Sequence, residues 1–280
     1  MAPRFAHSIS LPLSPSHKKA SYHVRSGSLP CRSHPLISNL EEQIQAVRSW
    51  AANPEGSSAW IVAGLVQIDL LHTALEDFLQ LSQTQETLQH SASLDQLLDD
   101  LLQLVDSYGL FLSNIETLKQ CNSEVQSACR RQDKVQMASS LRLHRQIEKE
   151  MTQITSGLRG TSKCKHLSLS SNAKELEIAV EAISTASFAS KAVFTGVEAL
   201  LAAASTTKMV ARKSIKRLAI KTCMKKRDTD LEKDLESLAK LEEQEENIKN
   251  IEFSSERLFK SMISSRVHYL ISEPLLCNTL

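Results

Sequence analysis

Apolar side chains recur three and four positions apart along most of the chain, the spacing of one face of an α-helix. Ile37, Leu40, Ile44 and Val47 form the first such row. The same spacing predicts six further helical stretches. They are 59–81, 84–89, 93–131, 136–156, 172–205 and the region after 228, which Pro274 ends.

Proline and glycine are scarce where a sheet would need turns. Between Pro54 and Pro274 there is no proline and there are only six glycines. Proline costs about 3 kcal/mol and glycine about 1 kcal/mol in a helix interior, so a stretch that avoids both favours helix. The sequence therefore predicts an all-α fold, a bundle of long antiparallel helices over residues 36–273 with no sheet.

Local signals place the helix ends. Ser38 with Glu41 has the spacing of a capping box, and the Asn53–Gly56 segment predicts a break between the first two helices. Residues 157–171 form a longer polar break, after which Asn172 is expected to cap the next helix. Because residues 179–205 are rich in Ala, Ser and Thr, neighbouring helices are expected to approach that segment closely.

The N-terminal region differs from the rest of the chain. Residues 1–35 contain five of the seven prolines, many serines and five Lys or Arg residues, and no acidic residue precedes Glu41. This composition predicts a disordered tail, residues 1–35, ahead of a helical-bundle domain, residues 36–280. A basic, serine-rich and acid-free start is also typical of an organelle transit peptide, so a plastid location is the alternative to the cytoplasm.

Composition excludes several partners and sites. The 33 basic and 32 acidic residues nearly balance, so no nucleic-acid partner is expected and any electrostatic contact must be local. Six scattered cysteines without a Cys-x-x-Cys pair are typical of a reducing compartment. Lys191 and Glu198 interrupt the most apolar stretch, so no membrane span is expected.

Catalytic motifs are absent from the sequence. It has no phosphate-binding glycine loop, no His-Glu-x-x-His and no nucleophile elbow. Cys164 and His166 could supply half of a metal site, but an ordinary loop is the simpler interpretation, and Cys121 with Cys129 is expected to be buried as small apolar residues. The sequence predicts no enzyme, no catalytic, cofactor-binding or metal-ligating residue, and no cofactor.

Charge is strongly segregated in the last third. Residues 208–227 contain nine basic residues and no acid, whereas residues 228–246 contain nine acids and two lysines. A basic helix here could contact an anionic membrane, a groove in a protein partner or phosphates, or be neutralised internally by the acidic segment. The candidate anionic-surface contacts are Arg212, Lys213, Lys216, Arg217, Lys221 and Lys225.

A coiled-coil-like seam begins in the acidic segment. Leu231, Leu235 and Leu238 have heptad-like spacing, but Glu242 and Glu245 occupy positions where apolar residues should follow. A short seam, rather than a long regular coiled coil, is therefore expected.

A short motif in the tail has a specific chemical reading. Arg25, Ser28 and Pro30 place a basic residue three positions before a serine and a proline two positions after it. Phosphorylation of Ser28 would create the pattern that 14-3-3 adaptors recognise, in which an Arg cluster binds the phosphate. A 14-3-3 adaptor is therefore a candidate partner after phosphorylation.

The motifs together resemble a family of plant-specific helical proteins, the BYPASS proteins. The resemblance rests on the Tyr22–Pro30 opening, the Leu71–Leu81 segment, the Cys129–Arg131 run and a closing set around Arg257–Phe259. It implies a role in root and shoot development, with no enzyme activity or cofactor. The first twenty residues and the stretch 268–272 depart from the family pattern.

The function expected from residues and resemblance together is non-enzymatic. The chain is expected to act in development through protein or membrane-surface contacts, in the cytoplasm or peripherally on a membrane. The alternative is an enzyme or small-molecule-binding protein with its site between bundle helices.

Overall fold

The backbone of the described residues is helical throughout its regular parts. A computed structural model describes the backbone of residues 34–89, 94–158, 174–220 and 228–272, and the side chains of 34–86, 95–158, 174–205 and 239–267. Within these ranges it forms seven helices and no strand, which confirms the all-α prediction. The helices are α1 (Pro35–Ala51), α2 (Ser58–Leu79), α3 (Ser82–Gln89), α4 (Leu94–Arg131), α5 (Lys134–Gly157), α6 (Lys174–Ile220) and α7 (Asp228–Ser272).

The predicted tail and the boundary after residue 35 are not tested, because residues 1–33 lie outside the described ranges. The described residues from His34 onward pack as one compact unit. The assignment of residues 36–280 to one domain and of residues 1–35 to a disordered tail stays a prediction.

The first helix begins earlier than its capping signal suggested. Pro35 is the first helical residue, and His34 caps the helix, with Nδ1 accepting a hydrogen bond from the Leu36 amide at 3.3 Å. The predicted start at Ser38 is therefore wrong. Proline suits this position because its missing N–H would have no intrahelical partner there and its φ is already helical.

The break between α1 and α2 lies where it was predicted. Gly56 has φ +67°, a left-handed conformation that glycine adopts without steric cost. Ser57 follows as the N-cap of α2, and its hydroxyl accepts a hydrogen bond from the Trp60 amide at 3.1 Å. The predicted cap at Asn172 lies outside the described residues.

Helix α6 is longer than its change in composition suggested. It continues without a break from the Ala-rich segment into the basic segment as far as Ile220. Lys, Arg and Ala are all strong helix formers, so the change in charge at Lys208 does not end the helix.

Consecutive long helices are antiparallel. Gln103 of α4 contacts Gly157 of α5, and Cys121 contacts Ser140, so the two helices run in opposite directions. Helix α6 contacts every other described helix and is the centre of the bundle. Helices α2 and α7 run parallel, although nearly two hundred residues separate their contacting positions.

Small residues let α6 approach α2 closely, as the sequence predicted. A Cβ on Gly196 would lie 3.1 Å from both Trp60 and Ile61 of α2. On the other side of Trp60, the Trp50 ring of α1 stacks at 4.4 Å between centroids and donates Nε1–H to the Trp60 carbonyl at 3.1 Å. A Cβ on Gly64 would lie 2.0 Å from the Trp50 ring, so only glycine fits beneath it. We call Trp50, Trp60, Gly64 and Gly196 the tryptophan corner.

An aromatic cluster joins α4 to α6. Phe111 and Phe194 stack at 4.6 Å between centroids, and Tyr108 meets both rings edge-on. The Tyr108 hydroxyl donates to Ser190 Oγ at 3.1 Å, and burial raises the pKa of this phenol. Most of the aromatic residues that the structure describes are thus used for helix packing.

Two described helical stretches, Ser58–Leu79 and Lys174–Ser205, are long and apolar enough to cross a membrane. Length and composition alone do not test the expectation that no segment spans a membrane, which stays a prediction. The apolar windows of these stretches are 56% and 50% buried inside the bundle. Their role in the core is sufficient to explain their composition.

Candidate functional site

The predicted site residues fall at the edges of what the structure describes. Arg25, Ser28 and Pro30 lie outside the described residues, as do Lys221 and Lys225. Arg212, Lys213, Lys216 and Arg217 lie on the described backbone of α6, but their side chains are not described. The adaptor motif and the anionic-surface contacts therefore stay predictions.

Part of the acidic segment has partners outside the basic segment. Glu242 lies 3.5 Å from Arg130 of α4. Glu245 pairs with Lys249 at 2.9 Å and accepts a hydrogen bond from Gln126 at 2.9 Å. The Lys249 hydrogen bond, followed by that from Gln126, lowers the pKa of Glu245. These two acids are used to hold α7 in place.

The cysteine predictions have mixed outcomes. Cys121 is fully buried in the main core, as expected, and its thiol donates to the Ser140 carbonyl at 3.2 Å. Cys129 is half-buried against a second small cluster formed by α4, α5 and Leu241 of α7. Cys164 and His166 lie outside the described residues, within which no group of three or more His, Cys, Asp or Glu could hold a metal ion.

A Ser–His–Glu cluster joins α5 to α6 but lacks the geometry of a catalytic triad. Ser205 Oγ lies 3.1 Å from His144 Nδ1, and Glu148 Oε1 lies 3.4 Å from the same nitrogen. Ser205 also donates to Glu148 in a short hydrogen bond. A triad needs the serine and the carboxylate on opposite ring nitrogens, so that the ring can move a proton between them. This cluster connects two helices instead.

A polar seam joins α2 to α7. Asp69 accepts hydrogen bonds from Arg257 Nε at 2.8 Å and Nη2 at 2.7 Å, and Glu76 accepts one from Ser264 at 3.0 Å. His72 lies between these carboxylates along α2 and is fully buried. Neither of its ring nitrogens has a hydrogen-bond partner among the described residues. Burial lowers the pKa of His72 to about 4, so the ring is neutral at pH 7.

Two side-chain amides on α4 bind the main chain of α7. Asn122 Nδ2 and Gln126 Nε2 both donate to the main-chain carbonyl of Leu241, at 3.0 and 3.2 Å. One turn before Asn122 on α4, Lys119 pairs with Glu252 at 2.6 Å. We call Asn122, Gln126 and the Leu241 carbonyl the amide clamp.

A cleft of about 310 Å³ lies where α4, α6 and α7 meet. Among the described residues that line it, those of α4 and α6 are apolar and the polar ones come from α7. The apolar wall includes Ile115, Leu118, Val197, Leu201 and Ala204, and the polar edge is formed by Lys240, Glu243, Gln244 and Asn247. Asn247 is oriented by Ser58 of α2, which donates to its Oδ1 at 2.8 Å.

The outer face of α7 carries exposed apolar side chains. Phe253 is 71% exposed, and Ile263 and Val267 are also exposed. Helical spacing places them on the same side as Lys260 and opposite the buried Leu258 and Met262. We call Phe253, Lys260, Ile263 and Val267 the outer face of α7.

A family model described as Protein BPS1 matches residues 64–270. The chain belongs to the BPS1 family. This confirms the BYPASS resemblance over α2, α4 and α7, whereas the Tyr22–Pro30 motif lies before the matched region. Membership associates the chain with plant development. A search of curated proteins finds no match, and a search of solved structures finds none either.

Sequence reasoning missed the amide clamp, the α2–α7 seam and the cleft. The clamp had a readable signal, because Asn122 and Gln126 are one turn apart on a helix face that also contains Leu118 and Val125. Buried amides on an apolar face need partners, which predicts a contact with another backbone. The cleft had no comparable signal, since it depends on the separation of three helices.

Proposed function

We propose that this chain is a non-enzymatic helical protein with a role in root and shoot development. It acts through protein or membrane-surface contacts, in the cytoplasm or at the periphery of a membrane. Two observations support the proposal: the family membership, and the apolar side chains that are exposed on the surface of the bundle.

The observation that carries the proposal is the outer face of α7. An exposed Phe253, followed along the same face by Ile263 and Val267, presents apolar area to solvent on a helix whose other sides are packed. Aromatic and aliphatic side chains grouped in this way are typical of contact surfaces. Lys260 lies on the same face beside the exposed Glu256, so the polar edge of this surface carries a charge of each sign.

Polar side chains that join two helices also favour a structural scaffold over catalysis. The carboxylates of Asp69, Glu76 and Glu148 each bond a side chain of another helix. In the His144 cluster, Ser205 and Glu148 contact the same ring nitrogen. Groups engaged in this way hold helices together and are poorly placed for proton transfer.

Affinity capture from plant tissue tests the contact surface. The intact chain should capture partners that a Phe253→Ser, Ile263→Ser variant does not. A Val135→Ser variant is the matched control, because Val135 is 81% exposed but lies on α5. Identical partners for all three chains would overturn the assignment to α7, and a chain lacking residues 1–35 shows separately what the tail contributes.

Vesicle binding tests the membrane-surface alternative. If the basic segment faces solvent, the intact chain should bind anionic vesicles, and added salt should weaken binding. Replacing Lys213, Arg217 and Lys221 with Gln should reduce binding without unfolding the protein. Equal binding to neutral vesicles, or binding to neither, would instead favour neutralisation by the acidic segment.

Peptide titration tests the adaptor motif. A Ser28-phosphorylated peptide spanning Arg25–Pro30 should bind a 14-3-3 protein far better than the unmodified peptide. The phosphate adds about −1.5 to −2 charge and three strong acceptors for the adaptor's Arg cluster. Equal affinities would mean that the motif match is coincidental.

A second candidate function is binding of a small molecule between bundle helices. The cleft between α4, α6 and α7 is the observation that favours it.

A further inference from the structure

The cleft exists because α7 is anchored to helices other than α6. The amide clamp and the Lys119–Glu252 pair fix α7 on α4, and Arg257 fixes it on α2. On the α6 side, Ala203 and Ala204 are too short to fill the space that remains. The result is a concave, mostly apolar site held open by contacts on both of its edges.

The size of the cleft suits a small molecule. The cleft offers about 310 Å³. An apolar cavity of about 150 Å³ is enough to bind benzene, so this cleft has room for a molecule of about two or three rings. Its volume lies at the lower end of small-molecule sites, about 300–1,000 Å³.

The charges at the cleft favour a neutral occupant. Among the described residues, its polar edge has one cation, Lys240, and one anion, Glu243, from adjacent turns of α7. These two opposite charges give the described edge no net charge, which favours a neutral ligand. The described residues that line the facing walls on α4 and α6 are aliphatic, such as Leu118 and Leu201.

We propose that the cleft between α4, α6 and α7 binds a neutral, mainly apolar small molecule of two or three rings. It rests on the second candidate function, names the class of ligand, and goes beyond the proposed contacts of the outer face of α7. It uses a different set of residues, so either proposal can fail without the other.

Fluorescence titration of the full-length chain tests the proposal with N-phenyl-1-naphthylamine, a neutral probe that emits strongly in apolar surroundings. Saturable binding of one probe per chain is expected, with a blue-shifted emission. The anionic probe 8-anilino-1-naphthalenesulfonate should bind at least tenfold more weakly. The absence of saturation, a stoichiometry well above one, or a preference for the anionic probe would each overturn the proposal.

Two substitutions locate the bound probe. Ala204→Phe fills the cleft from α6 and should weaken probe binding at least tenfold, whereas Ala199→Phe on the exposed side of α6 should leave it unchanged. If Ala204→Phe does not fold, Ala203→Leu blocks the mouth of the cleft from an exposed position and should have the same effect. Unchanged affinity in the folded cleft variant, or an equal loss in Ala199→Phe, would place the probe elsewhere and overturn the proposal.

Discussion

The two sides of α6 meet their neighbours in opposite ways. At Gly196 the helix lies so close to α2 that a single added carbon would press on Trp60 and Ile61. One residue later, Val197 lines an open cleft toward α7. Both sides have small residues, so small side chains permit close approach but do not cause it.

The difference lies in what anchors the facing helix. On the α2 side, Trp60 and Trp50 provide large rings that fill the space left by glycine. On the α7 side, the amide clamp and the Asp69–Arg257 pair hold the facing helix against α4 and α2. A gap therefore remains beside Ala203 and Ala204. Two packed regions, the tryptophan corner and the α2–α7 seam, can be compared with the open cleft by substitution.

The largest effect is expected at the tryptophan corner. Gly64→Ala places a Cβ 2.0 Å from the Trp50 ring. The ring must then move, which breaks its stacking on Trp60 and its hydrogen bond to the Trp60 carbonyl. We expect a loss of about 2–4 kcal/mol in the free energy of unfolding, combining overpacking with lost aromatic contact. Denaturant unfolding measures it.

Gly157→Ala is the matched control for Gly64→Ala. Gly157 is also helical, but no heavy atom lies within 4 Å of an added Cβ. Its replacement should be neutral or slightly stabilising. Equal effects of the two substitutions would mean that the close contact at Gly64 is not a packing constraint.

The seam between α2 and α7 should make the fold sensitive to acid. The pKa of His72 is lowered from 6.5 to about 4 by burial, so the unfolded chain binds a proton more readily than the folded one between these values. Stability is therefore lost as the pH falls from 6.5 toward 4, and about 2 kcal/mol of this loss is expected by pH 5. Denaturant unfolding at pH 7 and pH 5 measures it.

Removing the titrating ring shows whether His72 is the cause. His72→Leu should lose less stability than the parent chain between pH 7 and pH 5. If His72→Leu loses as much stability as the parent, other groups account for the acid sensitivity.

The amide clamp at the cleft should contribute less than the tryptophan corner. Asn122→Ala removes the donor at 3.0 Å from the Leu241 carbonyl, but Gln126 still donates to the same oxygen. We therefore expect a loss of about 1–2 kcal/mol, the range for one buried hydrogen bond. Gln120→Ala, on the exposed side of α4, should change the unfolding free energy by less than about 0.5 kcal/mol. A similar small change for Asn122→Ala would show that the clamp does not fix α7.

Much of the fold could be predicted from the sequence because helix limits depend on nearby residues. The break around Gly56 and the end of α4 at Arg131 follow from local composition. The start of α1 was misplaced because a proline at the first helical position outweighed a capping box three residues later. Helix α6 extended into the basic segment because no helix breaker marks the change in charge.

The candidate site could not be predicted, because its parts are distant in sequence. Arg257 binds Asp69, which lies 188 residues earlier in the sequence, and no spacing rule connects the two. The cleft depends on how far α7 stands from α6, which is set by side-chain contacts elsewhere on α7. The residues singled out from the sequence, such as Ser28 and Lys213, were chosen for local charge patterns that do not report helix separation.

The smallest expected effect is an increase in the free energy of unfolding, at the cleft, whereas a decrease is expected at the tryptophan corner. Ala204→Leu adds three carbon atoms to the apolar wall of the cleft, whereas Gly64→Ala adds one carbon to the filled space at the tryptophan corner. Filling a cavity without strain commonly stabilises by about 0.5–2 kcal/mol, and we expect the lower end because the cleft is partly open to water. Ala199→Leu, on the exposed side of the same helix, should stay within about 0.5 kcal/mol of the parent. Denaturant unfolding of the three chains decides the comparison. Destabilisation by Ala204→Leu would mean that α6 and α7 are already in close contact, and that the contrast between the two sides of α6 does not hold in solution.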